Sequence, residues 1–78
     1  MRKENVILEK VCYLWKSANV LKDYVKNCEN EDVADQFRKD IRQLYHDVDV
    51  ILTTAYDLEA LNDEQYESAM RMNEKEAA

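Results

Sequence analysis

The chain contains no glycine and no proline, where average usage would supply about nine of the two together. Without glycine there is no easy route to positive φ, so primed hairpin turns, phosphate-cradling loops and nucleophile elbows are disfavoured. Without proline no helix need be broken. What remains is long helices joined by short polar turns, and the sequence predicts an all-α fold. Long apolar runs are missing too. The longest, Val11-Cys12-Tyr13-Leu14-Trp15, stops at Lys16, far short of the roughly 20 residues a bilayer span needs. Glu9 and Lys10 cut off Val6-Ile7-Leu8 before it reaches the length of a secretory core. A cytoplasmic protein with no membrane partner is expected. Cysteine is scarce: Cys12 and Cys28 stand sixteen positions apart. On one continuous helix that is about 24 Å, beyond the roughly 7 Å a disulfide can bridge. Free thiols in a reducing compartment are expected, with only a bridge between subunits left open.

Two heptad-patterned segments make up most of the 78 residues. In the first, Ile7, Val11, Leu14, Ala18, Leu21, Val25 and Cys28 alternate steps of four and three, the signature of one apolar stripe on a helix. Leu8 and Trp15 widen the stripe on one side; Val6, Tyr13, Val20 and Tyr24 widen it on the other. So broad an arc predicts more than one helical neighbour. In the second segment Ala34, Phe37, Ile41, Leu44, Val48, Ile51, Ala55 and Leu58 repeat the pattern. Between them Glu29-Asn30-Glu31-Asp32 reads as a turn, with Asn30 or Asp32 as the next N-cap. Helix 1 is predicted over about 4–28 and helix 2 over about 32–60, forming an antiparallel hairpin. Asn62 with Gln65 has the spacing of a capping box, and Leu61 with Tyr66 that of a hydrophobic staple. They predict a short helix 3 over about 63–74, its face made by Tyr66, Ala69 and Met70, with a frayed end from Glu74 onward.

The whole is read as a single helical domain, 1–78. A chain this small gains only a few kcal/mol from its own core. Either helix 3 folds back to complete a three-helix bundle or two hairpins pair into a four-helix bundle. The broad apolar arc on helix 1 favours the homodimer.

Charge is lopsided. Residues 1–28 carry six basic against three acidic side chains, and residues 29–78 carry five against fourteen, for a net charge of −6. That balance argues against direct attraction to a phosphate backbone and for a partner with a basic surface.

No constellation of catalytic residues emerges. His46 is the single histidine and lies opposite the helix 2 stripe. His46-Asp47 on a helical hairpin is similar in outline to the phosphotransfer helices of bacterial sensor kinases, which would imply a phosphorelay role. In that family, however, the histidine normally lies on the first helix, and a solvated surface histidine is the simpler reading. Di-iron chemistry would need a Glu-x-x-His spacing, and Gln43 stands three residues before His46. Cys12 and Cys28 are too far apart to share zinc. Ser17 and Ser68 have no histidine within a helical turn, and a hairpin of this size is expected to enclose no cavity of a few hundred Å³. Neither an enzyme, a metal nor a cofactor is expected.

Binding is the remaining class. Val6, Tyr13 and Val20 form an off-stripe line at seven-residue spacing, and Tyr56 and Tyr66 lie near an acidic end built from Asp57, Glu59, Asp63, Glu64 and Glu67. Tyrosines are favoured at protein interfaces, so these residues are the candidate docking positions of a protein-binding adaptor or inhibitor. Together with Glu74, Glu76, Glu29, Glu31, Asp32 and Asp35, these carboxylates also resemble the surfaces of small phage-encoded antirestriction and anti-CRISPR inhibitors. That resemblance implies a decoy for a nucleic-acid-binding groove, against the plainer reading of a solvated face. A paired hairpin is likewise similar in architecture to the Rop family of plasmid RNA-binding regulators, and Lys16, Lys22 and Lys26 fall on one side of helix 1. Glu9 and Asp23 interrupt that side, and architecture alone does not carry function.

Overall fold

Three asparagines start three helices. The computed structural model describes residues 5–78 as α1 (Val6–Lys26), α2 (Glu31–Asp57) and α3 (Asp63–Ala77). Asn5 Oδ1 accepts from the N–H groups of Ile7 and Leu8, Asn30 Oδ1 from those of Asp32 and Val33, and Asn62 Oδ1 from that of Gln65. Each satisfies donors that a helix start leaves without intrahelical partners. The capping box at α3 is complete, for Gln65 Oε1 accepts the Asn62 N–H at 3.0 Å in return. Leu61 is buried and shares a cluster with Tyr66, as the staple spacing predicts.

The helix boundaries differ from the prediction at three ends. α1 stops at Lys26, where Asn27 Nδ2 turns back to the Asp23 carbonyl. Cys28 therefore lies beyond the helix, so the rise of one continuous helix no longer sets its separation from Cys12; both thiols are free. Position 4, the expected start of helix 1, lies outside the described residues. α2 ends at Asp57 rather than 60. α3 continues to Ala77 instead of fraying from Glu74, because its last turns are tied to α1. Asn19 Nδ2 donates to Glu76 Oε1 at 3.2 Å, and Lys22 Nζ donates to the Glu76 carbonyl.

α1 and α2 run antiparallel. Early α1 (Val11) packs with late α2 (Val48, Leu52), and later α1 (Ala18) with earlier α2 (Ile41, Tyr45). α3 folds back along both, contributing Leu61 from its approach and Ala69 to the first cluster. Asn73 is buried and pins this docking. Its Oδ1 accepts from Trp15 Nε1 at 2.9 Å, and its Nδ2 donates to the Tyr45 carbonyl at 3.0 Å. A buried amide is tolerated only when so satisfied.

The core of α2 departs from the heptad stripe. Ala34, Ile41, Val48 and Ala55 are buried as expected, but Ile51 is 40% and Leu58 75% exposed, while Tyr45 and Leu52 are buried in their place. A strict seven-residue repeat drifts about 20° per turn pair on a straight helix. The side of α2 that carries Tyr45 and Leu52 is the one α3 covers.

The α2–α3 turn is closed without glycine. Glu59 takes φ of +62°, the Ala60 N–H bonds the Ala55 carbonyl at 2.8 Å, and the Glu59 N–H bonds the Tyr56 carbonyl at 3.0 Å. This is a Schellman motif with glutamate where glycine is usual. Asn5 Nδ2 donates to the Ala60 carbonyl at 3.0 Å, so one side chain starts α1 and braces the turn. The molecule measures 46 × 25 × 16 Å. No described helix is long and apolar enough to cross a membrane.

Candidate interaction surface

The predicted docking residues separate into two groups. Val6, Tyr13 and Val20 lie along the outer side of α1, at 63%, 69% and 68% exposure, with Tyr24 continuing the line at 55%. They sit on the far side of the helix from Val11 and Ala18, which are essentially inaccessible. The line runs about 21 Å from Val6 to Val20 at 1.5 Å per residue. Its far end is stiffened, since the Tyr24 ring meets Phe37 edge to face at 5.2 Å. Leu8 and Trp15, which widen the apolar arc on the other flank, are instead half-buried against the core.

The second group gathers at the α2–α3 corner. Asp57, Glu59, Asp63, Glu64 and Glu67 are all exposed there. Tyr56 and Tyr66 are half-buried and stacked on one another, with centroids 4.4 Å apart and planes at 21°. The Tyr56 hydroxyl donates to Asp63 Oδ1 at 2.5 Å, and the Tyr66 hydroxyl pairs with Thr53 Oγ1 at 3.3 Å. The hydrogen bond to Asp63 and the negative charges around it hold the Tyr56 phenol above its ordinary 10.0. These two rings brace the corner, whereas Val6, Tyr13 and Val20 on the α1 line are each more than 60% exposed.

Open grooves of a few hundred Å³ run along the surface. One of about 340 Å³ lies between α1 and α3, lined by Leu8, Cys12, Trp15, Gln65, Ala69 and Met72 among others. A polar hollow of about 520 Å³ sits at the acidic corner beside Tyr56, Glu59 and Asp63. A third, of about 320 Å³, is almost wholly apolar and lies between Ile7 and the Ile51–Leu58 segment. His46 lines none of these three and is exposed on α2. Ser68 lines the first. No group of three or more His, Cys, Asp or Glu side chains placed to hold a metal occurs among the described residues. Lys22 does not share an open basic face with Lys16 and Lys26. It is half-buried, with its ammonium 4.9 Å from the Tyr45 ring centroid and bonded to the Glu76 carbonyl.

Sequence spacing identifies the α1 line, but not Asn73 or Tyr45, whose polar atoms mark them as surface residues. The chain matches no protein-family model, no curated protein and no solved structure significantly.

Proposed function

We propose that this protein is a non-catalytic, helical interaction module, an adaptor or inhibitor that acts by binding a protein partner, and that it works as a homodimer. One observation carries the reading. A protein this small leaves four large apolar side chains, Val6, Tyr13, Val20 and Tyr24, more than half exposed along one side of a single helix, and large apolar side chains aligned on one exposed face favour a contact site. Tyrosine supplies broad contact area at little entropic cost. The net charge of −6 suits a partner whose apolar contact is bordered by basic side chains.

A photo-crosslinking residue at position 13, with the same residue at position 46 as control, tests the docking in the native host. The reading expects a protein adduct from position 13 alone, and Tyr13→Ala should lose the partner while keeping full helicity. Equal adducts from both positions, or none from position 13, refute it. An acidic decoy is the second reading, favoured by the five carboxylates gathered at the α2–α3 corner. It requires binding that collapses as salt rises, whereas an apolar dock is little affected.

A further inference from the structure

Among the described residues, α3 covers one side of the α1–α2 hairpin and leaves the other open. On α1, Leu8 and Trp15 pack toward α3, and Lys22 bonds Glu76 near the α3 C-terminus. The residue before each of these, Ile7, Leu14 and Leu21, points about 100° away. On α2, Tyr45 and Leu52 occupy the covered side, and Leu44 and Ile51 precede them in the same way. The open face thus carries two apolar rows of seven-residue period: Ile7, Leu14 and Leu21 on one helix, and Phe37, Leu44, Ile51 and Leu58 on the other. The α1 row is half-buried throughout, and the α2 row rises from half-buried at Phe37 to 75% exposed at Leu58. The apolar groove of about 320 Å³ between Ile7 and Leu58 opens here.

We propose that this face, and not the Tyr13 line, is where a second copy of the chain packs, as a two-fold pair of hairpins with each α3 on the outside. The proposal rests on the homodimer reading above and names its interface. Two observations specify a second copy. First, rows of strict seven-residue period are what helix pairs with knobs-into-holes packing use, and the drift that exposes Ile51 and Leu58 in one chain leaves those knobs without holes. Second, the edges of the face are self-complementary, as a two-fold contact requires. Lys10 sits between Ile7 and Leu14 on the α1 edge, and Asp47 sits between Leu44 and Ile51 on the α2 edge. A two-fold axis parallel to the helices sets α1 of one copy against α2 of the other and preserves heights along the axis. Val11 lies level with Val48 and Leu52, and Ala18 with Ile41 and Tyr45, so Lys10 stands about four residues, roughly 6 Å along the axis, from Asp47 of the second copy, a span its long side chain covers. Tyr13 and Val20 then remain at the rim, free for another protein.

Light scattering on the purified full chain tests this, with helicity followed by circular dichroism. The wild type should weigh twice 9.3 kDa, and Ile51→Glu and Leu58→Glu should each weaken association at least tenfold with helicity retained. Leu58 is exposed enough that its replacement leaves the monomer fold intact, which guards against misreading an unfolded Ile51→Glu chain. Tyr13→Glu should remain a dimer. A wild type that stays monomeric at high concentration overturns both the interface and the homodimer. A wild-type dimer that survives Leu58→Glu overturns the interface alone, and one that dissociates with Tyr13→Glu instead moves it to the α1 line.

Discussion

Replacing Glu59 by glycine should make the protein more stable. Glu59 holds φ of +62°, where the Cβ of an L-residue costs about 1–2 kcal/mol. Glycine removes that cost but brings about 0.4–1 kcal/mol of extra backbone freedom to the unfolded chain. The balance favours glycine by about 0.5–1 kcal/mol. Since Glu59 also belongs to the acidic corner, deleting its charge would blur the result. Glu59→Ala supplies the reference, because it removes the carboxylate and keeps the Cβ. Urea denaturation of both variants at one fixed protein concentration, followed by far-ultraviolet circular dichroism, isolates the backbone contribution. Glycine should exceed alanine by about 0.5–1 kcal/mol, or roughly 4 °C in Tm for a domain this size. If alanine is as stable as glycine, the turn is not strained at Glu59 and the Schellman assignment fails.

Two further outcomes follow from the core and the corner. Tyr45 is 6% exposed and its hydroxyl is buried with no hydrogen-bond partner among the described residues. Tyr45→Phe should therefore gain about 1 kcal/mol by removing an unsatisfied group, and a loss of similar size in the same denaturation assay would reveal a partner for that oxygen. The Tyr56 phenol is held above its ordinary 10.0 first by its hydrogen bond to Asp63 and then by the Asp63 charge. The folded chain binds this proton more tightly than the unfolded chain, so the contribution is complete below pH 10 and disappears as pH climbs through the raised value. Nuclear magnetic resonance titration of the Tyr56 ring should show the midpoint falling back toward 10.0 in Asp63→Asn. An unchanged midpoint rules out Asp63 as the cause.

Helix starts were the most legible part of the fold. Asn30 and Asn62 stand at composition breaks, ahead of acidic first turns, and the Asn62–Gln65 pair announces its geometry by spacing alone. Helix ends were less legible, because a chain without glycine conceals its left-handed turn under an ordinary glutamate at position 59. The α2 core was readable only in part. Periodicity identified Ile41 and Val48, but the choice of Tyr45 and Leu52 over Ile51 and Leu58 depends on where α3 lies, which the helix 2 sequence does not record. Asn73 was invisible for a related reason: its burial makes sense only once Trp15 and the Tyr45 carbonyl are beside it. Of the candidate surface, Val6, Tyr13 and Val20 were plain from their spacing. The stacking of Tyr56 on Tyr66 depends on the angle of the corner.

Trp15 is the only tryptophan in the chain, and its indole N–H is spent on Asn73 of α3. Detaching α3 would return that group to water and shift the fluorescence to longer wavelength, while the α1–α2 hairpin could remain helical. The molecule thus carries a built-in optical probe of one helix–helix contact, readable in dilute solution without any label.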